Sequence, residues 1–70
     1  MSEFSLQGRP FVPLHNLLQL EGLCDSGGAA KQQIALGRVR VDGQLELRKR
    51  CKIKAGQRVE FAGQAIQITA

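Results

Sequence analysis

Seventy residues, 43% of them apolar but with only three phenylalanines and no tyrosine or tryptophan, predict one small domain over residues 1–70 with a core of Leu, Val, Ile and Ala. A chain of this size buries about 60% of the surface its unfolded form exposes. The composition excludes disorder, and the net charge of +4 conceals an asymmetry. Residues 38–58 carry Arg38, Arg40, Arg48, Lys49, Arg50, Lys52, Lys54 and Arg58 against Asp42 and Glu46, a net of +6, whereas the remainder nets −2.

Taken from the N-terminus, "MSEFSLQGRP" has no basic stretch followed by an apolar run, and no window approaches bilayer length. A soluble cytoplasmic protein is expected. "FSLQ" reads as a short edge strand with Phe4 and Leu6 on one face. In "PLHNLLQLEG", Leu14, Leu17 and Leu18 recur at helical spacing, Pro13 suits the first helical position and Gly22 the stop. A second helix follows in "CDSGGAAKQQIALG", opened by Asp25 or Ser26 as a cap and closed by Gly37. Ala30 and Ile34, with Ala29 and Leu36, are expected on its apolar side. Gly27 and Gly28 in the opening turn cost about 1 kcal/mol each relative to Ala, so a close backbone or ligand approach is sought there.

After Gly37 the period becomes two. Val39 and Val41 alternate with Arg38 and Arg40, and Leu45 and Leu47 with Gln44 and Glu46, around Asp42-Gly43. A two-residue turn would pair Arg40 with Leu45 and mix the faces. Placing both valines with both leucines predicts a three-residue loop with a bulge, and Arg38, Arg40 and Glu46 on the outer face. Cys51 and Ile53 are then expected inward, with Arg50, Lys52 and Lys54 outward. A last hairpin turns at Gly63-Gln64 and pairs Ile66 with Phe61 and Ile68 with Val59.

Catalysis has little support in these residues. The single histidine, His15, lies in a leucine-rich helix as a surface or half-buried residue, and the carboxylates form no paired-acid motif. "SGGAAK" is neither a Walker loop nor a dinucleotide fingerprint. Cys24 and Cys51 are distant from one another in sequence and are expected to be buried, reduced thiols. No catalytic residue, cofactor, metal site or small-molecule substrate is predicted. The basic segment is the positive signal. A solvated sheet face normally mixes signs, whereas "RKR" followed by alternating lysines suits a phosphate backbone. With the phenylalanines assigned to the core and termini, stacking platforms for unpaired bases are missing, which favours structured RNA gripped with low sequence specificity.

The run "SGGAAKQQIALGRVRVDGQ", followed by "KIKAGQRVEF", resembles the RNA-binding domain named after ribosomal protein S-four, built on the αL motif. Ser26, Ala30, Lys31, Ile34, Gly37, Val39, Val41, Asp42, Gly43 and Gly56 fall on the family pattern in order, and the likeness to a small stand-alone bacterial group covers essentially the whole chain. Gly27 stands where the family often has arginine, and Gly56-Gln57 replaces a Gly-Asp turn. The resemblance implies an α+β fold, two helices packed on a small, mainly antiparallel twisted sheet. It further implies RNA contacts at Ser26, Lys31, Arg38 and Arg40, extended by Arg48, Lys49, Arg50 and Lys52. The expected ligand is rRNA or tRNA, bound without catalysis by a monomer working in translation or at the ribosome. The competing expectation is a basic adapter that docks on an acidic protein.

Overall fold

The computed structural model describes residues 2–70. In chain order the elements are β1 (Ser2–Ser5), β2 (Val12–Pro13), α1 (Leu14–Leu20), α2 (Gly27–Ala35), β3 (Val39–Val41), β4 (Gln44–Leu45), β5 (Lys52–Ile53), β6 (Arg58–Phe61) and β7 (Gln64–Thr69). Five strands form one sheet in the order β1-β7-β6-β3-β4, and β2 pairs with β5 in a separate two-stranded sheet. Among the described residues, only β1 against β7 is parallel; the other pairings are antiparallel. The fold is therefore the α+β arrangement of two helices on a mainly antiparallel sheet. Among the described residues, no helix is long and apolar enough to cross a membrane.

The core follows the sequence periods. Leu14, Leu17 and Leu18 from α1 and Ala30 and Ile34 from α2 meet Val39, Val41, Val59, Ile66 and Ile68 from the sheet, with Leu6, Val12 and Ile53 closing the edges. Full burial of each leucine or isoleucine contributes about 1.5–3 kcal/mol. Among the described residues no polar or charged side chain is buried.

The two helices start differently. Pro13 is the extended residue ahead of α1 rather than its first helical residue, and it offers no side-chain cap. Backbone carbonyls of the basic loop take that role: Leu14 N donates to Cys51 O at 2.9 Å and His15 N to Lys49 O at 3.1 Å. The "RKR" segment is thereby tied to the start of α1. Ser26 caps α2, its hydroxyl accepting from Ala29 N at 3.1 Å. A Cβ on Gly27 would come no closer than 3.5 Å to Gln19 Oε1, and one on Gly28 no closer than 3.8 Å to Ser26 Oγ. Steric need does not explain either glycine.

Both hairpins depart from the registers expected. In the first, Arg40 pairs with Leu45 and Val41 with Gln44. Asp42 and Gly43 both have positive φ, 52° and 81°, so the loop is a two-residue primed turn and not a three-residue loop with a bulge. Primed turns match the right-handed strand twist. Asp42 also pins this one, its carboxylate accepting from Arg58 N at 3.0 Å and Gln57 Nε2 at 3.3 Å. The faces do mix: Leu45 and Leu47 are exposed, and Glu46 is the half-buried residue, its N–H donating to Val39 O. The core is complete without these leucines. In the second hairpin the turn falls at Ala62-Gly63, with φ of 53° and 77°, and Val59 pairs with Ile66 and Phe61 with Gln64. This is two residues from the expected pairing, so the inward set is unchanged. Glycine is used at the second turn position, and Ile68 bonds instead across to Gly56 and Gln57.

Other expectations are also corrected. Leu36 is exposed, because it caps α2 at the sheet margin instead of extending its apolar stripe. Cys24 and Cys51 are free but half-buried, each at the core's edge. The Gly43 backbone provides a direct test of the first hairpin. No atom lies within 4 Å of a Cβ built there, so Gly43→Val should act through the left-handed backbone alone. A loss of about 1–2 kcal/mol in urea denaturation is expected, and an unchanged midpoint would contradict the turn geometry.

Candidate nucleic-acid interface

Two basic depressions lie on the surface. The first is built by strand pairing. Arg38 and Arg40 alternate with the buried Val39 and so point away from the core. Antiparallel pairing of β3 with β6 sets Arg40 opposite Glu60, and Arg58, two residues before Glu60, joins the same face. Arg38, Arg40, Arg58 and Glu60 line a depression of about 330 Å³, together with residues 61–65 around the Ala62-Gly63 turn. Arg38 is held by Gln33, its guanidinium donating to the side-chain oxygen at 3.0 Å. Arg40 reaches Gly43 O at a long 3.4 Å, and Arg58 approaches Glu60 only to 4.0 Å. Three guanidinium groups thus face solvent with one acid among them.

The second depression, about 480 Å³, is lined by Arg48, Arg50, Cys51, Lys52 and Lys54. Its electrostatics are less simple than the run of cations suggests. Arg48 clasps Glu46 in a bidentate pair, Nε to Oε2 and Nη2 to Oε1 both at 3.0 Å, and its backbone N–H donates to the same carboxylate. The Glu46 side chain is only 15% exposed against 77% for Arg48. Chiefly through the Arg48 hydrogen bonds, the Glu46 carboxyl is lowered from an ordinary 4.5 to about 2. The Cys51 thiol, pushed up first by burial and then by the neighbouring Glu46 carboxylate, stays protonated at neutral pH. Cys24 is likewise raised, by burial and then by Asp25. Lys52 Nζ lies 5.1 Å from the centre of the Phe11 ring, a cation–π contact that places its charge at the rim.

The Glu46 shift sets a pH dependence. A carboxylate whose folded pKa is depressed adds stability above its unfolded value and loses it as the pH falls towards the folded one. Stability should therefore decline between pH 4.5 and about 2. Urea midpoints taken through this window should show the decline in the native chain and a weaker one in Glu46→Gln; identical slopes would deny the carboxylate this role.

The structure brings Arg38 and Arg40 together in the first depression and Arg48, Arg50 and Lys52 in the second. Ser26, Lys31 and Lys49 line neither. Ser26 is engaged in capping, Lys31 is half-buried on α2, and Lys49 is exposed with its carbonyl accepting from both His15 N and His15 Nδ1–H. Arg58 and Lys54 also line the depressions, although neither is among the contacts that the sequence predicts. The missing signal for Arg58 was the β3–β6 pairing, which joins segments 17 or more residues apart.

The positions that carry the motif now have structural reasons. Ser26 caps α2, Gly37 turns out of it with φ of 77°, Asp42-Gly43 forms the primed turn, and Gly56 takes φ of 91°. Residues 4–69 match the S4 domain family. The chain belongs to this family. As an S4 domain it is 56% identical over all 70 residues to YbcJ of Escherichia coli strain K12 and of Shigella flexneri, covering each of them completely. It also matches a solution structure of YbcJ from E. coli at a TM-score of 0.77, over 100% of this chain and 89% of that one, and that structure is described as revealing an αL motif involved in RNA binding. In this S4 domain the second turn carries Gln57, whose side chain accepts from Lys54 N at 2.7 Å and donates to Asp42. One amide side chain thus closes its own turn and links it to the β3–β4 turn.

Proposed function

We propose that this S4 domain is a non-catalytic module that grips structured RNA through the Arg38–Arg40–Arg58 depression. The observation that carries this reading is the convergence of three exposed guanidinium groups, from Arg38 just ahead of β3, Arg40 on β3 and Arg58 on β6, on one concave surface. Guanidinium forks match phosphate oxygens, and a rigid sheet fixes their spacing. The Arg48–Lys54 depression extends the positive surface, with Arg50, Lys52 and Lys54 supplying charge not already held by Glu46. Ser26, Lys31 and Lys49 lie beyond both depressions and serve as outlying contacts. The RNA-binding description given to the YbcJ structure supports the same reading. The ligand class is rRNA or tRNA in cytoplasmic, ribosome-linked work, bound by a monomer, because contacts of this kind read backbone shape and not unpaired bases.

Fluorescence anisotropy against labelled tRNA and an rRNA hairpin across a salt series tests the proposal. Binding through four to six phosphates should give a log–log slope on the order of −3 to −5. A flat salt response, or equal affinity for an unstructured oligonucleotide, would refute it.

A further inference from the structure

Exposed apolar side chains gather at one corner of the domain. Leu36, Leu45 and Leu47 are 57%, 52% and 54% exposed. Leu45 Cδ1 and Leu47 Cδ2 lie 3.7 and 3.9 Å from where a Cβ on Gly37 would stand, and Leu36 immediately precedes that glycine. The cluster is a direct consequence of the primed turn at Asp42-Gly43, which puts Leu45 beside Arg40 on the outer face. Among the described residues, its border carries two cations free of acid partners, Arg40 opposite Leu45 and Arg38 after Gly37, while Arg48 after Leu47 is paired with Glu46. Polar residues at positions 45 and 47 would cost the core nothing, since neither leucine belongs to it. Clustered exposed apolar side chains rimmed by polar groups mark interaction surfaces.

From this arrangement we infer that the Leu45–Leu47 corner docks an acidic protein segment, whose apolar side chains cover the leucines while its carboxylates meet Arg38 and Arg40. An apolar centre within a charged rim is the anatomy of a protein–protein contact. A second copy of the chain fits poorly, because a two-fold contact sets the same patch against itself and would oppose arginine to arginine. Nucleotide bases fit poorly as well, for leucine has neither a π face for stacking nor a donor for base edges. Because Arg38 and Arg40 also line the first depression, the acidic segment competes with any polyanion held there. The inference stands on the leucine cluster and does not require RNA binding.

Photocrosslinking in bacterial cells tests it, using the full chain with Leu45→p-benzoylphenylalanine and, in a second variant, Leu47→p-benzoylphenylalanine; both positions are exposed, so folding should persist. The expected result is a discrete, nuclease-resistant protein adduct whose crosslinked segment has excess Asp and Glu around apolar residues. A synthetic peptide of that segment should bind the purified chain one to one, and lose about 10-fold or more in affinity against the Leu45→Ser/Leu47→Ser variant and against Arg40→Glu. RNA affinity of the double serine variant should stay within about twofold, so failure of docking and failure of RNA binding are read separately. A nuclease-sensitive adduct, a crosslinked pair of these chains, a segment without excess acid, or no adduct at either position would each overturn the inference.

Discussion

Simultaneous replacement of Arg38, Arg40 and Arg58 by glutamine is expected to lower affinity for structured RNA by about two to three orders of magnitude near 0.1 M salt, and to flatten the salt slope by about 2 to 3. Each phosphate neutralised releases condensed counterions, and near that salt concentration each contact is worth somewhat under tenfold. The three side chains line one depression where β3 pairs with β6, so they are lost from one concave surface. None belongs to the core, and the variant should keep its far-ultraviolet circular dichroism and melting temperature. Arg48→Gln supplies the contrast. Its charge is already shared with Glu46 at 3.0 Å, so it should weaken binding less than loss of any one of the three. Undiminished affinity in the folded triple variant would exclude this depression from the interface.

Ile53→Ala is expected to remove about 3 kcal/mol of stability, within the usual range of 2–5 for an isoleucine truncated in a packed interior. A domain of this length has roughly 3.5–10 kcal/mol in all, so a fall in melting temperature of about 12–24 °C follows. Ile53 is fully buried on a strand of two residues, paired with Val12. Flanking it are Lys52 and Lys54, which line the second depression. Thermal and urea denaturation followed by circular dichroism measure the loss. A fall below about 5 °C would mean that the β2–β5 sheet contributes little to the cooperative core.

The elements differ in how plainly the sequence foretold them. α1 and α2 were legible from leucine, alanine and isoleucine spacing, from Ser26 at the start of α2 and from Gly22 and Gly37 at the ends, because each signal acts within a turn or two of backbone. The valines of β3 and the isoleucines of β7 were legible for the same reason: period two is a local property. β2 was not, since two residues containing a proline have no periodicity and exist as a strand only because β5 pairs with them. The β3–β4 register was misread because burying Leu45 and Leu47 looked obligatory. The apolar interior is in fact completed by residues remote in sequence, and local turn geometry then prevails.

The same division holds for the candidate site. Its sign and rough address were present in the sequence, as an excess of arginine and lysine between residues 38 and 58. Which cations act together was not. Strand pairing, which depends on contacts between distant segments, put Arg58 beside Arg38 and Arg40, and the fold of the "RKR" loop put Arg48 onto Glu46. Net charge, the two helices and the alternating valines and isoleucines of β3 and β7 were thus determined by the sequence alone, being local properties of the chain. Convergence, neutralisation and the exposed leucine corner were decided by tertiary structure, which sets the distances on which Coulombic and apolar contacts depend.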